Sequence, residues 1–347
     1  MSGRSCELST DSLTVRTLTC PLSAGLSRRS FEGAFVAIAF TFPGQGSQAV
    51  GMGKALADAF PAARAVFDEV DDALGEKLSQ VMWEGPAETL TLTENTQPAL
   101  LAVSVAAMRA LETEAGVDMK RDAKFVAGHS LGEYSALAAA GSFALADAAR
   151  LVKIRGRAMQ QAVPVGQGAM AAILGLEPAD VKAIAAEAAQ GQVCEAANDN
   201  APGQFVVSGA KAAVERAVEI AKAKGARAMM LPVSAPFHCA MMQPAADAMR
   251  EALTRVKVSA PKIPLVANVT AGPSTEPGEI VQNLIAQVTG TVRWRECVNY
   301  LTANGVNRLV EVGSGKVLSG LAKRITKETA AISIGTPDDV AAFKTAG

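Results

Sequence analysis

The 347 residues are enough for two domains, or for one large domain with an insertion. Apolar residues make up 49% of the chain but aromatic residues only 4%, so the core is built mainly from Ala, Val, Leu and Ile, which suits packed helices and parallel strands. The 33 basic and 34 acidic residues leave a net charge of −1, which excludes the basic field that a nucleic-acid partner requires.

The cysteines argue against a metal site and against a disulfide framework. The five residues, Cys6, Cys20, Cys194, Cys239 and Cys297, show no Cys-x-x-Cys spacing, and only two histidines accompany them. Free thiols are typical of a reducing compartment, so we expect a cytoplasmic protein. No apolar run approaches the length that spans a bilayer, and we expect no membrane partner.

Residues 1–35 differ from everything that follows. They are rich in Ser, Thr and Arg and show no sustained period, which predicts a disordered leader. Few acidic residues and the pair Arg28-Arg29 are compatible with an organellar transit peptide. The alternative is that translation starts near Val36 and that the leader is an artefact of start assignment.

The first ordered element is an apolar strand at 36–42, of the type that is buried in a parallel sheet. A Gly-rich turn follows at 43–48. It lacks Gly-x-Gly-x-x-Gly and a Lys-Ser/Thr ending, which leaves a dinucleotide-binding fold as a weak alternative. The turn instead offers backbone N–H groups and the polar side chain of Gln45.

Helical patterns come next, at 52–74 and 97–115. Thr96 is predicted to cap the second helix, because Pro98 is suited to a first helical turn.

Residues 125–134 combine an apolar run, Gly-x-Ser-x-Gly and a helix-forming segment. This order predicts a nucleophile elbow, a strand–turn–helix unit that exposes the hydroxyl of Ser130 above the sheet. The N–H groups that open the helix would stabilise an anion on an attacked carbonyl oxygen. The alternative is a glycine-bounded loop with a serine cap, but the flanking strand and helix favour the elbow.

Helices are predicted at 133–140 and 144–162, and the second carries several cations. Cations three or four residues apart usually line a solvated helix face, which is our interpretation of Arg150 and Arg157. Arg155 lies among apolar positions close to the elbow helix. Arg155 could therefore face a pocket or the surface, because the sequence does not reveal how the helix at 144–162 is rotated relative to the helix at 133–140.

The middle of the chain changes to the order βαββαβ. The predicted strands are 169–174, 193–197, 204–208 and 226–233, the helices are 178–190 and 211–224, and a turn covers 198–203. This order predicts a small ferredoxin-like subdomain over 166–233, inserted in a larger domain.

The two histidines limit the choice of a base for Ser130. His129 is its neighbour in a tight turn, where adjacent side chains diverge, so it is a poor base. His238 follows the inserted subdomain in a loop stiffened by two prolines. A single histidine is more often structural, but the elbow favours His238 as the base.

The remaining pattern completes an α/β fold. It predicts a helix at 240–255, a strand at 263–268, helices at 278–289 and 293–303, a strand at 308–312 and a turn at 313–320 into a final helix. We expect a large α/β-hydrolase-like domain with a parallel sheet over 36–165 and 234–338, and a C-terminal tail over 339–347.

Several motifs within residues 37–325 resemble the malonyl-CoA:acyl carrier protein transacylases of bacterial fatty-acid synthesis. They stand in the family's order and spacing at 42–48, 96–100, 128–134, 155–156, 200–204, 232–239 and 312–320. The departures are Ser314 where a proline is common, Phe237 at a variable position, and a leader without counterpart.

The resemblance implies a role for six residues. Ser130 would be the nucleophile, His238 the general base and acid, and Arg155 the partner of the malonyl carboxylate. The backbone N–H groups of Gln45 and Leu131 would form the oxyanion hole, and the carbonyl of Gln287 would orient the histidine. Malonyl would then pass from malonyl-CoA to the phosphopantetheine thiol of acyl carrier protein through a malonyl-serine, in a monomer, with no metal or organic cofactor.

Two other classes of function remain as alternatives. A serine hydrolase or thioesterase of the α/β-hydrolase type shares the elbow, but its acid and histidine normally lie near the C-terminus, whereas His238 precedes the last third of the chain. A non-catalytic docking module would form no covalent adduct.

Overall fold

The computed structural model describes residues 37–345, and the leader predicted for residues 1–35 lies outside them. The elements before the inserted segment are β1 (Ile38–Phe42), α1 (Lys54–Ala59), α2 (Pro61–Leu74), α3 (Leu78–Glu84), α4 (Ala87–Thr91), α5 (Thr93–Glu114), α6 (Met119–Asp122), β2 (Ala123–Gly128), α7 (Gly132–Ala139) and α8 (Leu145–Gln161). No helix among the described residues combines the length and apolar character needed to cross a membrane.

The rest of the chain contains two further groups of elements. The middle group is β3 (Gly168–Leu174), α9 (Pro178–Ala189), β4 (Cys194–Ala201), β5 (Gln204–Ala210), α10 (Lys211–Ala223) and β6 (Arg227–Met230). The last group is a 3-10 turn (Ala240–Met242), α11 (Gln243–Leu253), β7 (Leu265–Ala267), β8 (Gly272–Ser274), α12 (Pro277–Thr289), α13 (Trp294–Ala303), β9 (Arg308–Val312), α14 (Val317–Ile325), β10 (Ala330–Ile334) and α15 (Pro337–Thr345).

A six-stranded sheet in the order β10-β9-β1-β2-β7-β8 forms the centre of the fold. Its neighbouring strands are parallel except for the antiparallel pair β7 and β8. Phe42 pairs with Gly128 at the ends of β1 and β2. The loops that leave these strands therefore start side by side at the carboxyl edge of the sheet, where open α/β sheets bind ligands.

Helices cover both faces of this sheet, which explains why every residue of β1 is buried. Side chains alternate across a strand, so Phe40 and Phe42 pack into the core that contains Leu100 of α5. Ala39 points to the opposite face and packs in the cluster that contains Trp294 of α13. The sheet is buried between helical layers, as the apolar run predicts, and the fold is a mixed α/β structure.

The middle segment folds into a four-stranded antiparallel sheet in the order β4-β5-β3-β6. On one face, Ile173 and Phe205 pack with α9 and α10 in a separate core that includes Val214. On the other face, Met170 and Val206 belong to the main core. The small sheet is thus joined to the main core through one of its two faces.

Two local predictions are corrected by the structure. Helix α5 begins at Thr93, so Thr96 is not its cap and Pro98 lies inside the helix. The extra turn forms because the Leu92 carbonyl accepts the N–H groups of both Asn95 and Thr96.

Strand β4 continues into the predicted turn and ends at Ala201. It is extended by backbone pairing with the segment after α12: the Asp199 N–H donates to the Val292 carbonyl, and the Val292 N–H donates to the Ala197 carbonyl. The sequence pattern contains no sign of this distant partner.

The C-terminal part of the described chain contains more structure than the pattern predicts. Strand β10 pairs with β9 at the sheet edge. Residues 339–345, assigned to a tail from the sequence, are part of α15, and Val340 is buried in the main core. Short helices such as α3 and α4 were also not predicted, because they span fewer than eight residues and show no clear period.

Candidate active site

Ser130 lies two residues after the end of β2, in the sharp turn that leads to α7. Its φ of 53° is in the left-handed region, which is strained for a residue with a side chain. The flanking glycines are required by space: a Cβ on Gly128 would lie 1.9 Å from the Gly132 carbonyl carbon, and a Cβ on Gly132 would lie 2.2 Å from the Phe42 oxygen. The turn therefore has the geometry of a nucleophile elbow.

His238 meets the serine from the loop between β6 and α11. Its Nε2 lies 2.8 Å from Ser130 Oγ, and its Nδ1 lies 2.8 Å from the Gln287 carbonyl oxygen. A carbonyl only accepts, so Nδ1 carries the proton and donates. Nε2 is then the unprotonated nitrogen and accepts from the serine hydroxyl. His238 also has a positive φ, 58°.

Burial keeps this imidazole neutral. His238 is 5% exposed, and desolvation, followed by the nearby charge of Arg155, lowers its pKa to about 3. At neutral pH the ring is therefore free to accept a proton from the serine.

Arg155 resolves the alternative left open by the sequence, because α8 turns it inward. It is 1% exposed. Its Nη2 donates to Ser130 Oγ at 3.0 Å and to Gln287 Oε1 at 2.8 Å, and its Nη1 donates to Gln97 Oε1 at 2.9 Å. A guanidinium remains charged even when burial lowers its pKa.

The two other arginines of α8 behave as the sequence indicates. Arg150 and Arg157 are exposed and form surface ion pairs with Asp147 and Glu94. Arg155 is thus the one of these three that reaches Ser130.

Gln45 and Leu131 both line the cavity that contains Ser130. Within residues 37–345, neither backbone N–H group donates to an acceptor. The Gln45 side chain is held by a long contact of 3.4 Å from Nε2 to Thr93 Oγ1. Two unpaired N–H groups next to a nucleophile are available for a developing oxyanion.

The cavity above Ser130 has a volume of about 470 Å³, which suits a small acyl group and part of its carrier. Its apolar wall comes from the four-stranded sheet and the loop that follows it, through Met170, Val206, Leu231, Val233 and Phe237. Among the described residues, no group of His, Cys, Asp and Glu side chains could hold a metal ion.

Comparison with known proteins agrees with this geometry. The acyl transferase domain family matches residues 39–336. The malonyl CoA-acyl carrier protein transacylase of Escherichia coli (strain K12) is 48% identical over 305 residues, which cover 88% of this chain and 97% of that protein. The chain belongs to the malonyl CoA-acyl carrier protein transacylase family.

Solved structures support the same assignment. The acyl-carrier-protein-S-malonyltransferase of Bartonella henselae is 58% identical, with a TM-score of 0.87 over 88% of this chain and 98% of that chain. A malonyl-transacylase solved in complex with a type II PKS acyl-carrier protein is 43% identical, with a TM-score of 0.86 over 90% of this chain and 100% of that chain. Membership of this transacylase family makes the protein an acyltransferase.

Sequence reasoning missed the polar groups of this transacylase that lie beneath the elbow. Asn268 Oδ1 accepts the Ser130 N–H at 2.8 Å, and Asn268 Nδ2 donates to the Gly128 carbonyl at 2.7 Å. Glu133 is fully buried in α7, and Gln97 holds Arg155. One signal was available: Glu133 is the one charged residue in a fully buried helix.

Proposed function

We propose that this protein transfers the malonyl group of malonyl-CoA to the phosphopantetheine thiol of acyl carrier protein, through a malonyl ester on Ser130. One observation carries the proposal: the hydroxyl of Ser130 lies within hydrogen-bond distance of both a neutral His238 and a buried Arg155. The first contact supplies a nucleophile, and the second supplies a positive charge for a carboxylate-bearing acyl group.

In the first half-reaction, His238 Nε2 takes the hydroxyl proton as Ser130 Oγ attacks the thioester carbonyl. The negative charge moves onto the carbonyl oxygen, where the N–H groups of Gln45 and Leu131 are placed to donate. The carbon–sulfur bond then breaks, His238 returns the proton to the leaving sulfur, and coenzyme A departs as a thiol. The Gln287 carbonyl keeps the imidazole in the required tautomer throughout.

Arg155 accounts for selection of a malonyl group. Its guanidinium presents a planar set of donors that matches a carboxylate, and it lies beside the attacking oxygen. Its Nε has no hydrogen-bond partner among the described residues. A malonyl carboxylate would add an acceptor to a guanidinium that is already held by Gln97 and Gln287.

The second half-reaction reverses the first with a different thiol. The phosphopantetheine thiol loses its proton to His238, the thiolate attacks the malonyl ester, and the Ser130 oxygen regains a proton from His238. The structurally similar malonyl-transacylase in complex with an acyl-carrier protein supports this choice of partner. All groups in this scheme come from one chain, which supports a monomeric enzyme.

We further propose the domain division that the sequence suggests. Residues 36–165 and 234–338 would form an α/β-hydrolase-like domain, supported by the parallel strands and the elbow after β2. Residues 166–233 would form an inserted ferredoxin-like subdomain, supported by the strand order β4-β5-β3-β6. Buried free thiols at Cys194, Cys239 and Cys297 support a reducing, cytoplasmic location.

Intact-mass measurement after incubation with malonyl-CoA tests the proposed function. We expect one malonyl adduct that disappears when holo acyl carrier protein is added, with malonyl appearing on the carrier. Release of free malonate without a carrier would indicate a hydrolase instead. No adduct and no transfer would indicate a docking module.

A further inference from the structure

The buried carboxyl group of Glu133 lies under the site and has no role in the reaction scheme above. It is 0% exposed and does not line the cavity. One oxygen, Oε1, accepts the backbone N–H of Asn268 in a short hydrogen bond, and the other, Oε2, accepts Gln287 Nε2 at 2.6 Å. Glu133 therefore contacts two residues that each contact the reacting groups.

Both polar atoms of the Gln287 side-chain amide are hydrogen-bonded, and the orientation of the amide depends on Glu133. Its Nε2 donates to Glu133 Oε2 and to the Ser130 carbonyl at 2.9 Å, while its Oε1 accepts Arg155 Nη2 at 2.8 Å. An amide has donors on one side and an acceptor on the other. An acceptor at Glu133 therefore keeps Oε1 turned toward the guanidinium.

The second route leads from Glu133 to the elbow. Asn268 is fixed by its N–H on Glu133, and its side-chain oxygen accepts the Ser130 N–H. One carboxyl group thus supports both the strained backbone of the serine and the arginine beside its hydroxyl, without contacting either directly.

Both carboxyl oxygens of Glu133 accept N–H groups, from Asn268 and from Gln287. Burial raises the pKa of Glu133 to about 8, while these N–H donors and the Arg155 charge act in the opposite direction. The position of the Gln287 amide therefore depends on an acceptor at Glu133 Oε2.

We propose that Glu133 is a positioning residue for acyl selectivity: through the Gln287 amide it holds Arg155 in the orientation that receives a carboxylate-bearing acyl group. This inference rests on the proposed transfer of malonyl. It predicts that the loss of the Glu133 carboxyl group reduces the use of malonyl-CoA far more than the use of acetyl-CoA, whose acyl group has no charge to pair.

The test is the Glu133→Gln variant, which preserves the size of the side chain. Its single acceptor oxygen would face the two donors that the carboxyl group now accepts, the Asn268 N–H and Gln287 Nε2. If the Gln287 amide turns to compensate, its NH2 group faces the Arg155 guanidinium. We expect kcat/KM for malonyl-CoA to fall about 10- to 100-fold more than kcat/KM for acetyl-CoA, because a shift of the elbow through Asn268 affects both thioesters alike, whereas a turned Gln287 amide weakens only the pairing of Arg155 with a carboxylate. Equal losses for both thioesters would overturn the inference.

Glu311→Gln is the matched control. Glu311 is also buried and accepts two N–H groups, from Leu318 at 3.0 Å and Ser319 at 2.8 Å, but it lies outside the cavity and contacts none of the proposed site residues. We expect this variant to lose stability and to keep the malonyl-to-acetyl ratio of the wild type. The same change of ratio in both variants would show a general effect of buried carboxylates and contradict the proposal.

Gln287→Met provides a second measurement, and it keeps the inference testable if Glu133→Gln does not fold. It removes the amide but leaves the backbone carbonyl that orients His238. We expect the same loss of selectivity, and little further loss in the double variant, because both changes act through one amide. An unchanged malonyl-to-acetyl ratio in Gln287→Met, or additive losses in the double variant, would contradict the proposal that Glu133 acts through the Gln287 amide. A wild type that forms no malonyl adduct would instead refute the proposed function.

Discussion

The two sheets of this protein contribute to the cavity in different ways. The six-stranded sheet is buried on both faces and ends in two loops that carry Gln45, Ser130 and Leu131, three residues to which the proposed mechanism assigns chemical roles. The four-stranded sheet has its own core on one face and contributes apolar side chains, Met170 and Val206, to the cavity wall on the other.

We infer from this difference that the loops of the six-stranded sheet carry the reaction and that the four-stranded sheet limits the size of the acyl group. Strained backbone and buried hydrogen-bonded charges are concentrated around the end of β2, where small displacements alter reacting distances. On the small sheet, Met170 and Val206 make apolar contacts, which tolerate changes in volume better, whereas Asn198 and Asn200 add polar groups to the same cavity. Variants of the two regions should therefore fail in different ways.

The largest effect is expected from Ser130→Ala. Loss of the attacking oxygen should lower transfer by about 10⁴-fold or more and abolish the malonyl adduct. The fold should persist, because the side chain is small. Intact mass and circular dichroism measure the two outcomes. A stable malonyl adduct on the variant would place the nucleophile elsewhere.

Arg155→Ala should have the next largest effect. Loss of the charged partner of a desolvated carboxylate costs roughly 2–4 kcal/mol of transition-state stabilisation. This corresponds to a fall of about 30- to 1,000-fold in kcat/KM for malonyl-CoA. Acetyl-CoA turnover should stay level or rise. Lys should restore only part of the activity, because it lacks the planar fork. An equal fall for both thioesters would make Arg155 a structural residue.

The pH dependence of stability should identify His238 as a residue that is buried in its neutral form. Its folded pKa, about 3, lies below the unfolded value of 6.5, so the unfolded chain binds the extra proton between these values. Stability therefore rises with pH through this window and is lost on acidification. His238→Gln should reduce that slope by about 1.4 kcal/mol per pH unit.

Urea unfolding of wild type and His238→Gln at pH 7.5, 6 and 5 measures this difference. His129, whose pKa burial also lowers, is present in both proteins and cancels. Parallel curves of free energy against pH would show that His238 is not held neutral by the fold.

The smallest effect is expected on the four-stranded sheet. Met170→Ala shortens a side chain of the cavity wall and so enlarges the cavity. It should improve kcat/KM for a branched malonyl-CoA analogue by about 3- to 10-fold, which is the usual effect of one or two methylene groups in an apolar pocket. Malonyl-CoA itself should change less than about 3-fold.

The control lies on the opposite face of the same strand. Ile173→Val should cost about 0.5–1.5 kcal/mol of stability and leave the acyl preference unchanged. If both variants shift the preference, the separation between the two faces of the small sheet does not hold.

The sequence alone identified the elements whose signals are local. The apolar run of β1, the glycines around Ser130 and the alternation of strands and helices in the middle segment each reflect the backbone of a few consecutive residues. Strand β10 and helix α15 were missed because their stability comes from pairing with β9 and from the burial of Val340.

At the site, the sequence by itself predicted that Ser130 stands in an elbow and that His238 is the better of two candidate bases. Only the tertiary structure decided that Arg155 points inward and that Glu133, Asn268 and Gln287 form one hydrogen-bonded group under the serine. The physical reason is that these contacts join residues up to 157 positions apart. Their geometry depends on how α7, α8 and α12 pack against one another, and no local pattern encodes that packing.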